Sequence, residues 1–427
     1  MKLHIEKPVY GGSGLARADG KAVFVPLTLP GETVDAEIVQ DKGGFANAEL
    51  RAVSEPSAAR IEPPCPFYGR CGGCHYQHAA YAAQVEMKLA ILRESLERAR
   101  LREIPPIAPI TAGSFGYRNR IRLHVQADPF SLCYKRMNSH RDLPVDTCPI
   151  AAPVLQRTIQ EINRQGPRLQ LPAYVSEVEL FTDGGETTLM LSLWTDRDAA
   201  GAGQLCEKTV ALLRPIIPEL SGVGAFAAQE GSATNRLLAS KGSAALLYSA
   251  ADQTYRVSFG SFFQVNRFLV DALTKLVAAG EAGATLWDLY AGVGLFSVPL
   301  AASFGEVTAV ESSPFAVRDL RENLRGVRHR IVASDSASFL RQAVRQRLPA
   351  PDLLIVDPPR AGLGRDVTTA LGKIQPRKIT YVSCDPATLS RDLAMLVESG
   401  YRLLRMHLLD LFPQTFHLES VVHLSLD

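Results

Sequence analysis

No window of this chain reaches about 18 consecutive apolar residues, so the sequence offers no membrane-spanning helix. Its first residues, MKLHIEKPVYGG, lack the apolar core of a signal peptide, and the expected location is the cytoplasm. A sizeable net charge is missing too: 46 Lys and Arg against 44 Asp and Glu leave +2. Charge alone therefore does not announce a nucleic-acid binder. Basic character comes in patches instead. Arg318, Arg321, Arg325, Arg328 and Arg330 crowd one stretch, which reads equally as a solvated helix face. Arg118, Arg120 and Arg122 alternate with Ile121 and Leu123, which predicts a strand with one basic side suited to a polyanion. The three-glycine fingerprint of dinucleotide oxidoreductases is also absent: Gly292 and Gly294 are followed by Ser297. Seven cysteines in a cytoplasmic chain are not a disulfide framework and need another account.

What is present fits two or three domains with good cores: 427 residues, 46% apolar and 21% charged. Residues 1–56 read as short alternating strands (AVFVPL, VDAEIVQ, ANAELRAV) cut by GGSG, ADG, PGE and DKGG turns. Five such strands predict a small β-barrel of the oligonucleotide-binding type. Residues 57–260 begin with a Pro-, Gly- and Cys-rich loop. A helix over 82–102 follows, fit to pack on the catalytic domain and ended by IPPIAPI, and then mostly strands with helices near 152–164 and 202–214. This predicts a central α+β domain. Residues 261–427 alternate apolar strands with helices (TLWDLY, VTAVES, RIVASD, DLLIVDPP, KITYVSCD), the pattern of a mainly parallel, doubly wound α/β sheet. Ligands of such sheets sit beyond the C-terminal strand ends, where Asp288, Glu311, Asp335, Asp357 and Cys384 fall.

Those residues carry chemistry. Gly292 and Gly294 let the backbone pass close to a ligand, and Glu311, ending the next strand, can hold the two ribose hydroxyls of an adenosine. S-adenosylmethionine has no pyrophosphate to cradle, so the two-glycine turn suits it better than a dinucleotide. Cys384 delivers a thiol to a strand end, Asp357 ends another strand in DPPR, and Glu419 opens a third in FPQTFHLE. A thiol, two carboxylates and a Gly-containing loop fit methyl transfer to carbon 5 of a pyrimidine. That carbon is a poor nucleophile until a thiolate adds to carbon 6. The thiolate is expected to be favoured by strand-end dipoles or a cation, Arg360 or Arg391. Separately, Cys65, Cys71, Cys74 and the distant Cys148 suit a four-thiolate site for zinc or a [4Fe–4S] cluster, and spacing does not choose between them. Cys133 and Cys206 read as core.

Together these motifs resemble the RNA uracil-C5 methyltransferase family over nearly the whole chain. GGSGLARADGKAVFVPLTLPGE resembles a TRAM domain, SFFQVN the entry into the catalytic domain, DLYAGVGLFS the cofactor loop, and DPPR, SCDPATLSRDL and FPQTFHLE the catalytic signatures. The resemblance implies S-adenosylmethionine as methyl donor, with Gln264, Tyr290, Glu311, Asp335 and Asp357 as binding positions. It implies Cys384 as nucleophile and Glu419 as the base that removes the carbon 5 proton. It also implies a [4Fe–4S] cluster on Cys65, Cys71, Cys74 and Cys148, and ribosomal (23S) or transfer RNA as substrate. DNA and membranes are not expected partners, and a monomer is the default. Leu295 departs from the Asn or Thr common in the family's cofactor loop, and Ala291 from its Cys.

Three other readings are weighed against it. Exocyclic-amine methyltransferases carry an aromatic residue after the Pro-Pro pair, where this chain has Arg360. A cytosine-C5 enzyme shares the cysteine chemistry. A non-catalytic RNA-binding protein would have no need of both Cys384 and Glu419.

Overall fold

A computed structural model of the protein describes residues 1–195, 200–227 and 235–426. Among these, three sheets and a hairpin hold the strands.

Alternation builds the first sheet. Val23, Val25, Val34, Ala36, Ala46 and Ala48 point inward from Lys21–Pro26, Thr33–Asp41 and Phe45–Glu55 and form its core. The first segment closes the structure. Lys2–His4 pairs with Thr33–Asp41 at one edge, and its continuation, Lys7–Pro8, pairs with Ser13–Ala18 at the other. Closure leaves no long free edge for stray pairing. The short breaks in Lys2–Pro8 explain why the sequence suggests five strands where the sheet counts six.

The second sheet has seven strands, from Asp142–Pro144 at one edge to Arg236–Gly242 at the other. Helices Pro153–Leu169 and Ala202–Leu213 bury Leu155, Ile159, Leu205 and Leu213 against it. The expected basic strand is Arg120–Gln126, and its arginines are largely spent internally. Arg120 lies 3.9 Å from the Phe181 ring and donates to the Ser261 carbonyl at 2.8 Å. Arg122 stacks 3.9 Å over Trp194 and pairs with Glu177. The free polyanion-facing stripe expected from alternation is therefore corrected in part: Arg120 is turned inward onto Phe181, and Arg122, though exposed, is already paired with Glu177 over Trp194. The other arginine stretch is a solvated face, with Arg325 on Glu322 and Arg328 on Glu306.

The third sheet runs His329–Ala333, Phe304–Glu311, Gly283–Leu289, Leu353–Val356, Lys378–Ser383, Glu419–Leu426, Tyr401–Leu409, Ile107–Ile110. The first five are mutually parallel, and Glu419–Leu426 runs antiparallel between its neighbours. Strand order reverses between Gly283–Leu289 and Leu353–Val356, which opens a crevice at their C-terminal ends.

Packing does not follow a cut at residue 260. Ile107–Ile110 is an edge strand of the catalytic sheet, pairing with Tyr401–Leu409. The hairpin Ala245–Ala250 and Gln253–Ser258 sends Tyr248, Tyr255 and Val257 into the same core. On the other face of the catalytic sheet, helix Tyr81–Arg98 buries Ile91, Leu92 and Leu96 with Trp287 and Leu289. The sequence assigned 107–110 and 245–258 to the central unit because chain order, not packing, is what a sequence displays.

Candidate active site

Each functional side chain sits where a catalytic strand stops. Gly283–Leu289 ends in a turn that holds Tyr290 at φ 62°, Gly292 at φ 55° and Gly294 at φ 94°. At Gly294 a Cβ would stand 2.8 Å from the Leu320 side chain, so glycine is required both for conformation and for space. Glu311, ending Phe304–Glu311, pins this loop. One carboxylate oxygen accepts from the Gly292 amide at 2.9 Å, and the other from the Ser312 and Ser313 amides at 2.7 Å each. Asp335 caps helix Ser336–Gln346, accepting from the Ser338 amide at 2.8 Å. Asp335 and Ser336 both act on the Tyr290 hydroxyl, so the structure brings these residues together.

Carboxylates then run in a row toward Cys384. Asp288 is fully buried and accepts from Ser297 Oγ at 2.5 Å. Burial, reinforced by Glu311, pushes its carboxyl up to about 7. Asp357 follows the strand paired to that of Asp288, and burial plus the Asp288 charge raise it to about 7 as well. Glu419 is 4% exposed, and burial followed by Asp357 holds it well above the usual carboxylate range.

Cys384 stands between strand Lys378–Ser383 and helix Pro386–Glu398, whose first amides are capped by Asp385. The last pair of the antiparallel ladder is Ser383 with Ser420. Carried one residue further, the same register sets Cys384 opposite Glu419. Burial, Glu419 and Asp357 push the Cys384 thiol up to about 12, opposed by Arg360. The expectation of a thiol already lowered by its surroundings is thus corrected: two carboxylates and burial outweigh one guanidinium. Arg391 is not the activating cation, because it bonds Asp392 at 2.9 Å and the Ala361 carbonyl at 2.9 Å.

Gln264 is buried in a segment held from two sides. Asn119 Nδ2 donates to the Gln264 carbonyl at 3.0 Å, and Asn266 Nδ2 donates to the Leu411 carbonyl at 3.0 Å. That segment therefore docks on the stretch leading to Glu419. Three residues around the site escaped sequence reasoning. Phe262 is 61% exposed beside Gln264, although SFFQVN alone could have flagged an aromatic there. His417 Nε2 lies 3.3 Å from Arg360 Nη2. Tyr10, 374 residues before Cys384, reaches from the N-terminal sheet to donate to its carbonyl at 3.4 Å. No local pattern could reveal that contact.

Cys65, Cys71, Cys74 and Cys148 line one cavity of about 270 Å³, with Tyr134 and Arg118 on its wall. Burial pushes Cys71 up to about 11 and Cys74 up to about 12. Among the described residues no three His, Cys, Asp or Glu side chains close on a single ion. Cys133 and Cys206 are buried and lie outside this cavity.

Comparison with known proteins bears on this geometry. The family model described as tRNA (Uracil-5-)-methyltransferase matches residues 244–426, and the TRAM domain model matches residues 1–50. A 23S rRNA (uracil(1939)-C(5))-methyltransferase RlmD from Halomonas elongata is 33% identical over 452 residues, covering 99% of this chain and 89% of that one. The chain belongs to the RNA uracil-C5 methyltransferase family. An uncharacterized RNA methyltransferase of Aquifex aeolicus is 34% identical across 100% of this chain and 98% of its own. The fold of this family member is shared with Pyrococcus abyssi tRNA (uracil-54, C5)-methyltransferase, solved with S-adenosyl-L-homocysteine, at a TM-score of 0.78. That match covers 99% of this chain and 100% of the other, with 23% identity.

Proposed function

We propose that this chain methylates carbon 5 of a uridine in 23S rRNA through a covalent bond between Cys384 Sγ and carbon 6 of the base. The facing positions of Cys384 and Glu419 carry the reading. Sγ loses its proton to solvent, the thiolate being favoured by Arg360, and bonds to carbon 6 as the carbon 5–carbon 6 π pair shifts onto the carbon 4 oxygen; that enolate makes carbon 5 nucleophilic. S-adenosylmethionine supplies the electrophilic methyl group. The Glu419 carboxylate then takes the carbon 5 proton, and the carbon–sulfur bond breaks to release the thiolate. A base held above its usual range is matched to that task. The target base reaches the thiol only when extruded from its stack.

Tyr290, Glu311, Asp335, Asp357 and Gln264 would hold the methyl donor. Glu311 retains one free lone-pair site beside its three amide bonds, on the oxygen that accepts from the Gly292 amide, enough to accept from one ribose hydroxyl. Residues 1–56 form the TRAM-like unit, and the catalytic unit of residues 261–427 takes in Ile107–Ile110 and the hairpin of residues 245–258 from the central unit. The protein acts as a cytoplasmic monomer with RNA as its partner, not DNA or a membrane. No described helix is long and apolar enough to cross a membrane.

A [4Fe–4S] cluster on Cys65, Cys71, Cys74 and Cys148 is part of the same reading. Four thiols around one mainly apolar cavity supply its donor set. The methyl transfer moves no electrons, so the cluster's task is structural or RNA-positioning.

The test is to map 5-methyluridine in RNA from cells with and without the gene. Loss of one modification in 23S rRNA is expected. Loss in tRNA alone would move the substrate to tRNA, and loss of 5-methylcytosine instead would overturn the uridine assignment.

A further inference from the structure

The FPQTFHLE segment contains a histidine to which the reaction above gives no role. His417 lies two residues before Glu419 and is wedged between aromatic rings, 4.1 Å from the Phe416 centroid and 5.9 Å from that of Phe412. Its amide donates to Thr415 Oγ1 at 3.2 Å, and Thr415 Oγ1 donates in turn to the Phe412 carbonyl at 2.8 Å. The ring therefore has little freedom to turn. Its Nε2 meets Arg360 Nη2 at 3.3 Å, and a guanidinium can only donate, so Nε2 accepts and the ring hydrogen sits on Nδ1. Nδ1 is buried without a partner, so nothing competes to swing the ring away.

Arg360 is exposed and carries a long, flexible side chain. Left alone, it would spread its charge over many rotamers in water. Its backbone carbonyl is fixed by Thr388 Oγ1 at 3.0 Å, but its guanidinium needs a separate anchor. Arg360 is the cation that favours the Cys384 thiolate.

We infer that His417 is a positioning residue for the nucleophile: as a neutral imidazole clamped by Phe412 and Phe416, it accepts from Arg360 and holds that guanidinium where it stabilises the Cys384 thiolate. The inference rests on the reading of Cys384 as nucleophile. The charged groups around the pair are consistent with it. Burial, with the charges of Arg360, Arg118 and Lys88 added, keeps His417 neutral, its conjugate acid lowered to about 3. Around Cys384, Glu419, Asp357 and the Tyr10 and Asp385 pair oppose the thiolate or neighbour it, which leaves Arg360 as its cationic support.

The experiment reads the thiol directly, without RNA or methyl donor. Iodoacetamide alkylation of Cys384 is followed by mass spectrometry of its peptide over about pH 7 to 9.5, where the rate tracks the thiolate fraction. Each unit of pKa rise cuts the thiolate about tenfold. It also makes the thiolate about threefold more nucleophilic, for a net loss of about three- to fourfold. His417→Phe keeps the aromatic wedge and removes the acceptor, and a slowing of about that size is expected. His417→Gln, whose amide oxygen can accept, should stay within about twofold of wild type. Arg360→Met should slow the reaction at least as much, and adding His417→Phe to it should change nothing further. Alkylation of His417→Phe at the wild-type rate, or a full further slowing in the double variant, overturns the inference. Should His417→Phe not fold, His417→Met is read in the same way. Failure of the nucleophile reading is separate: it would show as methylation by Cys384→Ala.

Discussion

Lys88 and Asp410 form an ion pair from which water is excluded, Nζ to Oδ1 at 2.5 Å with both side chains 0% exposed. Lys88 also donates to the Phe412 carbonyl at 2.9 Å. Next to it, Gln84 and Gln414 exchange two hydrogen bonds of 2.9 Å, and the Gln414 carbonyl accepts from the His75 and Tyr76 amides of the cysteine loop. Helix Tyr81–Arg98, the cysteine loop and the segment leading to Glu419 are thus fastened at one buried polar point. Removing one partner strands the other charge. Lys88→Met should cost about 3–5 kcal/mol, and Lys88→Met with Asp410→Leu distinctly less. Denaturant midpoints measure both, and a double variant no better than the single one would contradict this account.

Separating the roles of Cys384 and Glu419 requires trapping the adduct. Cys384→Ala should lose turnover below detection. Glu419→Gln should still bond to RNA and then stall, because the carbon 5 proton has no acceptor. A protein–RNA band that survives denaturing gel electrophoresis is expected for Glu419→Gln and absent from Cys384→Ala. Its absence from both would remove Glu419 from the elimination step.

Asp288 sets a pH dependence of stability. Its folded value, about 7, lies above its ordinary 3.8. The native state thus binds the proton more tightly than the unfolded chain does. The stabilisation is fully present below pH 3.8 and is lost as pH rises through about 7. Asp288→Asn cannot ionise and escapes that loss. The melting temperature of wild type relative to Asp288→Asn should therefore fall between about pH 5 and pH 8. A constant difference over that range would show that Asp288 is not held protonated.

The cysteine cavity predicts a composition. Protein purified without oxygen should be brown and hold iron and sulfide near four per chain, about the content of one cubane. Cys74→Ser should lower both. Zinc alone in elemental analysis would rule out the cluster.

Much of this was legible in the chain. Period-two alternation shows the N-terminal sheet, and the strand–helix alternation of 261–427 shows the doubly wound unit, because each follows from local geometry. The residue types at strand ends, Cys384, Asp357 and Glu311 among them, are equally local. The misreadings share one cause. Arg120 and Arg122 looked free because Phe181 and Trp194 lie on other strands. Cys384 looked activated because the sequence cannot say that Glu419 and Asp357 lie close enough to oppose Arg360. Ile107–Ile110 looked central because nothing local reveals that it pairs with Tyr401–Leu409.

By itself, the sequence determined which reactive groups this protein carries: one thiol, the carboxylates and the glycine turn are fixed by residue type and by strand ends. Only tertiary structure decided how those groups feel one another. Acidity, burial and aim depend on distances across strands and between units. Tyr10 beside Cys384 and His417 against Arg360 exist only once remote segments have packed.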